Sequence, residues 1–319
     1  MNNNAMIVSR QEQQTSVDAL PVFNAELMQE WIKYVDARSK RTEETYSRAL
    51  KQFFVYLWER GIRQPTREDV IAYREHLEQK HKATTVQSYL TAVKLFFQWT
   101  ESRGLYPNIA ERVKSEKLDD EHKKLPLTAK QVKRLMERVD RSTLKGKRDF
   151  ALLALMVTTG LRTVSIASAK VEDVKPIDDE NMALFYQGKG HKQRAKYVKL
   201  AGPVEDALMD YLQARGAVPG SAPLFASTAH RNEGQAMTTR SISRIVKEHL
   251  IDAGLNNEAY TAHSLRHTAA TTNLRNGGTL EETQQLLDHK NINTTMIYIR
   301  EINRADNNSE DRIANVLLA

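Results

Sequence analysis

The sequence predicts a mainly α-helical protein. An all-α N-terminal part built of helical hairpins precedes a mixed α/β part with a small antiparallel sheet. Three observations carry this. Apolar residues recur at helical spacing through most of the 319 residues. One helical pattern repeats 43 residues further on. Only two short β-type runs, MALFYQ and RAKYVKL, interrupt the helical pattern of the second part.

Residues 1–21 are polar, with NNN and QEQQTS and no sustained period, and are expected to form a mobile tail. Helical periodicity starts with FNAELMQEWIKYV, which puts Phe23, Leu27, Trp31 and Val35 on one face. The repeat follows. Thr42, Tyr46, Ala49, Lys51, Phe53, Phe54, Arg60 and Gly61 recur as Thr85, Tyr89, Ala92, Lys94, Phe96, Phe97, Arg103 and Gly104. Each copy reads as a long amphipathic helix closed by its glycine, with the aromatic stripe in the core. Between the copies, Thr66 and Asp69 have the spacing of a capping box, which opens a shorter helix. Two copies are too few for a solenoid but enough for two packed hairpins over residues 22–113.

The stretch KSEKLDDEHKKLP (114–126) has no apolar face and reads as a linker to a second domain, 127–319. That domain should open with a helix over 127–139 and continue with RDFALLALMVTTG (148–160), apolar nearly all round and hence buried. The two β runs, 182–187 and 194–200, form a hairpin around the basic turn GKGHKQ. Helices are predicted over 203–215, 239–254, 262–276, 279–288 and 293–300. The polar run NRADNNSED (303–311) reads as a hinge before a short amphipathic end.

Composition narrows the function. Forty-seven Lys and Arg against 40 Asp and Glu leave a net charge of +7, which suits a polyanionic partner. With no cysteine, disulfide scaffolds, thiolate zinc sites and cysteine nucleophiles are excluded. The longest apolar run, Phe150 to Val157, is far short of the roughly 20 residues that cross a bilayer. The first residues lack the features of a secretory signal, so a cytoplasmic protein without membrane contact is expected.

Four segments of the second domain carry chemistry. In TTGLR, Arg162 follows the glycine that ends a buried helix, where a guanidinium becomes a rigid two-pronged oxyanion ligand. In GKGHK, Lys189 lies between two glycines and offers one charge or one proton, with Lys192 and Lys196 as competitors. In AHSLRHT, His263, Arg266 and His267 share a helical face. Two histidines at that spacing also invite zinc, but the glutamate of a metalloprotease helix is missing and an arginine sits between them. In LLDHKNINTTMIYIR, His289 precedes Tyr298 by nine residues. Taken singly, each has a plainer reading: a surface arginine, a turn lysine, a core tyrosine. Together they form a metal-free toolkit for moving a phosphoryl group onto a protein hydroxyl.

The order and intervals of TGLR, GKG, HSLRHT and H-x8-Y resemble the catalytic domain of the tyrosine recombinases, the phage and transposon integrases and Xer recombinases. The repeated helical unit likewise resembles that family's core-binding domain. The resemblance implies that Arg162 and Arg266 bind the phosphate and that Lys189 is the general acid. It makes His263 the proton acceptor, His289 a second phosphate-contacting or orienting group, and Tyr298 the nucleophile of a 3′-phosphotyrosyl link. His267 matches a supporting position. Two positions depart from the family pattern: Ser165 stands where many members have Glu, and Asp288 where they have Gly.

The implied activity is site-specific DNA recombination through a Holliday junction, without metal, nucleotide or other cofactor. The implied partners are double-stranded DNA sites, three further copies in a tetramer, and accessory DNA-bending proteins, with the protein on the nucleoid when bound. The chain before residue 22 is too short for an arm-binding domain, which favours the simpler two-domain architecture. A type IB topoisomerase-like nicking-closing enzyme and a catalytically silent DNA-binding relative are the alternatives.

Overall fold

A computed structural model describes residues 25–35, 40–115, 124–188 and 195–318. Phe23, the tail and Lys189 lie outside them. The chain divides into two compact units between residues 121 and 122.

The first unit contains α1 (Ala25–Tyr34), α2 (Lys40–Glu59), α3 (Arg67–Glu78) and α4 (Ala83–Ser102). The repeat explains α2 and α4: Ala49, Phe53, Ala92 and Phe96 are fully buried, and Gly61 and Gly104 follow the helices with positive φ. Trp31 from α1 closes the core against Phe96. The α3 start has the expected cap, with the Asp69 carboxylate accepting the Thr66 backbone N–H at 2.8 Å. Trp58, off the buried stripe of α2, is 82% exposed.

The second unit contains α5 (Ala129–Glu137), α6 (Leu144–Thr159), α7 (Thr163–Ala167), β1 (Val174–Pro176), β2 (Met182–Tyr186), β3 (Lys196–Lys199) and α8 (Gly202–Arg215). It continues with α9 (Thr239–Asp252), α10 (Ala262–Arg275), α11 (Leu280–Leu287), α12 (Asn293–Ala305) and α13 (Ser309–Leu317). The fold class is as expected: mainly α with a small antiparallel sheet. From Lys124 onward the backbone is already tied to this unit, with Leu125 N–H donating to Ala259 and Leu127 N–H to Thr268 Oγ1.

The sheet runs β1-β2-β3, all antiparallel, with Val174 opposite Leu184 and Tyr186 opposite Lys196. The strand β1 was not expected, because three residues ending in proline carry no readable alternation. The buried helix over 148–160 starts earlier than its apolar run, at Leu144, where Thr143 caps it by accepting the Gly146 N–H. The hinge over 303–311 is corrected: only residues 306–308 are non-helical. The polar residues there form exposed helix faces, and Arg304 pairs with Glu310 across the turn.

Candidate active site

The C-terminal end of α6 is the foundation. Gly160 ends the helix at φ 62°, a left-handed conformation that costs glycine nothing. A Cβ there would lie 2.7 Å from Leu287 Cδ2 and 3.3 Å from the Ala269 methyl, so a larger residue would have to displace Leu287 and hold a strained φ. Two residues on, Arg162 caps α7, and its half-buried side chain leaves from a point set by the core.

Arg266 on α10 is 7% exposed. Its Nη1 donates to Gly160 O at 2.5 Å and its Nη2 to Leu287 O. The guanidinium therefore ties the ends of α6 and α11 to α10. Burial first, and then the neighbouring Arg162, lower its pKa to about 10, which leaves it charged at neutral pH. Arg162 thus weighs on the charge of Arg266, and with carbonyls taking only part of their donors the two guanidinium groups can receive an anion.

The third wall is the corner between α11 and α12. Thr279 and Glu282 form the capping box that opens α11, and Asp288 ends the helix at φ 51° and ψ 51°. Asp288 is the only non-glycine with positive φ among the described residues. Its carbonyl accepts both Nη groups of Arg162 at 3.4 Å. Its carboxylate takes Lys196 Nζ and lies 4.0 Å from Arg162 Nη1. This corner takes a left-handed residue, a conformation that favours glycine, and here Asp288 adopts it.

Just beyond, His289 Nδ1 and Thr295 Oγ1 share a hydrogen bond at 2.9 Å. Tyr298, 3% exposed, sits between two imidazoles. His289 stacks on it at 6.4 Å between centroids and 7° between planes, and His267 meets it edge-on at 5.1 Å and 89°. Burial raises the phenol pKa above its ordinary value, with Glu301 adding to the rise and both arginines opposing it. His263 is solvent-exposed at the N-terminal end of α10. Loss of solvation against the wall behind it, followed by Arg266, Arg162 and Lys124, holds its pKa below the usual imidazole value. At neutral pH the phenol keeps its proton and His263 is free to accept one.

The structure thus brings together Arg162, His263, Arg266, His289 and Tyr298. Lys189 lies outside the described residues. An open cleft of ≈ 440 Å³ between the base of the β2–β3 turn and the α11–α12 corner is lined by Tyr186, Lys196, Tyr197, Gln284, Asp288 and His289, among others. Sequence reasoning missed Thr295, fully buried and bonded to His289, and missed the joint role of Asp288 and Lys196. The unusual Asp before His289 was the available signal for the latter. Among the described residues no cluster of three His, Asp or Glu could hold a metal ion, and no helix is long and apolar enough to cross a membrane.

The family described as "Phage integrase family" matches residues 126–304, and "Phage integrase, N-terminal SAM-like domain" matches residues 27–106. A tyrosine recombinase XerC of Roseiflexus castenholzii is 32% identical over 274 residues, covering 82% of this chain and 83% of its own length. The XerH site-specific recombinase, solved on a palindromic difH substrate as a post-cleavage complex, superposes with a TM-score of 0.70 at 20% identity. That match covers 83% of this chain and 78% of XerH. A lambda integrase from a tetramer bound to a Holliday junction superposes with a TM-score of 0.66 at 16% identity, covering 91% and 80%. The two structures share the fold, and the matched family and the XerC likeness go further: this chain belongs to the phage integrase family of tyrosine recombinases.

Proposed function

We propose that the protein cleaves double-stranded DNA sites through Tyr298 and exchanges the strands by way of a Holliday junction. One observation carries this reading: a tyrosine buried between two imidazoles beside two arginines that can receive an anion. The scissile phosphate fills the anion position. Tyr298 Oη attacks phosphorus, and the P–O bond to the tyrosine forms as the bond from phosphorus to the 5′ oxygen breaks. The phenolic proton passes to neutral His263, and Lys189 protonates the departing 5′ oxygen. Arg162 and Arg266 stabilise the charge on the non-bridging oxygens, and His289, fixed by Thr295, adds a further contact. Attack by the 5′ hydroxyl of the partner strand reverses each step on the new strand. The ester conserves the energy of the phosphodiester, so the chain needs neither metal nor nucleotide. The helical unit from 22 to 113 supplies further DNA contacts as a core-binding domain.

Assembly into a tetramer on two sites is supported by α13. Ile313, Val316 and Leu317 are 57%, 80% and 73% exposed, on a helix of nine residues that water alone does not stabilise. Docked on a neighbouring copy, these side chains would contribute about 1.5–3 kcal/mol each before ordering costs. Deleting residues 312–319 is expected to leave a folded monomer that binds one half-site yet fails in synapsis and strand exchange, read by native gel and product analysis. A truncated protein that recombines like the full chain would refute exchange through this helix. Supercoil relaxation without recombinant product would point to nicking and closing instead.

A further inference from the structure

The two arginines of the anion site are mounted on successive carbonyls at the end of α11. Leu287 O accepts Arg266 Nη2, and Asp288 O accepts Nη1 and Nη2 of Arg162 at 3.4 Å. Arg266 is buried and has a second anchor in Gly160 O, whereas the Arg162 side chain is 32% exposed. Asp288 also brings a carboxylate, 14% exposed, that has no part in the steps above. Its Oδ2 lies 4.0 Å from Arg162 Nη1, and its Oδ1 takes Lys196 Nζ from β3. One turn on from Arg162 in α7, Ser165 offers no carboxylate. Glycine would adopt the left-handed corner without strain; with aspartate, the corner aims a carboxylate between two cations.

We propose that Asp288 is a positioning residue for Arg162: its carbonyl and its carboxylate, the latter held by Lys196, fix the guanidinium against the scissile phosphate. This rests on the reading of Arg162 as a phosphate-binding group. The effect of Asp288 runs through the charge on the non-bridging oxygens and not through proton transfer to the leaving 5′ oxygen.

The test is single-turnover cleavage of a half-site by the full chain on three substrates. They are a normal phosphodiester, a methylphosphonate at the scissile position, and a diester with sulfur as the leaving 5′ atom. The methylphosphonate lacks the negative charge that an arginine neutralises, and sulfur leaves without a proton. The variants are Asp288→Asn, Asp288→Gly and, for reference, Arg162→Ala. Asparagine and glycine both keep the left-handed corner, and with it the carbonyl, so only the carboxylate is lost. Each Asp288 variant is expected to cleave the diester about tenfold more slowly, less than the roughly 10²-fold cost of a group misplaced by about 1 Å. On the methylphosphonate each should match the parent on that substrate, as Arg162→Ala should, and sulfur should relieve neither Asp288 variant. A diester rate equal to or above the parent's, slowing that persists on the methylphosphonate, or relief by sulfur would overturn the proposal. Nitrogen NMR of the arginine side chains in the DNA-free protein reads the mount without chemistry. The Arg162 signals, identified by their loss in Arg162→Lys, should show restricted guanidinium rotation in the parent and faster rotation in both Asp288 variants. Equal rotation refutes the mount. If the methylphosphonate does not relieve Arg162→Ala, the phosphate-binding reading of Arg162 fails, and the rotation alone decides whether Asp288 holds it.

Discussion

In the N-terminal unit the interior is made of rings. Phe53 meets Tyr73 at 5.0 Å and Phe97 at 5.9 Å, and Phe54 meets Phe96 at 5.3 Å, all near edge-to-face. Around Arg266 the interior is made of a guanidinium, carbonyls, hydroxyls and imidazoles, with Ser264, His267, Thr268 and Thr271 buried on the same helix. The first region gains stability from non-directional burial and aromatic geometry. The second holds polar groups out of water by pairing them, Arg266 with two carbonyls and Thr268 and Thr271 with carbonyls one turn back, and it keeps two like charges close. The aromatic unit behaves as a scaffold. The polar wall is where the proposed function puts the scissile phosphate.

Phe53→Ala should break the comparison on the scaffold side. Removing a fully buried ring costs about 3–5 kcal/mol, read as a lowered denaturant midpoint.

Arg266→Ala tests the polar wall. Single-turnover cleavage should fall about 10²–10³-fold, or about 2.7–4 kcal/mol, as for loss of one oxyanion donor. Sulfur at the leaving position should not restore it, in contrast to Lys189→Ala. A variant that cleaves normally would show that the buried guanidinium only ties α6 to α11.

The smallest effect is a titration. The His263 imidazole in the DNA-free protein should have its NMR midpoint below 6.5, because desolvation by the wall behind it, the two arginines and Lys124 disfavour its charged form. Removing Arg266 should move that midpoint upward. A midpoint above 6.5 in the parent would mean that the arginines do not act on His263.

Legibility in the sequence follows the same division. The aromatic stripes of α2 and α4 could be read because burial on a helix leaves a period, and the 43-residue repeat shows it twice. Trp58 on α2 lies off that stripe and is exposed, as the same period implies. Arg162, His263, Arg266, His289 and Tyr298 were legible as polar residues at fixed intervals around apolar runs. Asp288 and Lys196 stand 92 residues apart and meet only because a left-handed corner aims one carboxylate at a strand end, which no local pattern encodes. The family resemblance marked Ser165 and Asp288 as departures. The structure adds that Ser165 is buried in α7 and that the carboxylate near Arg162 comes from Asp288.

The central claim is that Tyr298 is the residue that carries the DNA. The full chain can be incubated with a nicked half-site that traps cleavage, in excess chelator and without nucleotide. It is then digested and searched by tandem mass spectrometry for a peptide bearing a nucleotide. The account predicts a 3′-phosphonucleotide on the peptide containing Tyr298, located on that side chain, and none in Tyr298→Phe. The same mass on another residue, or cleavage that requires a divalent metal and leaves no protein-linked product, would contradict it.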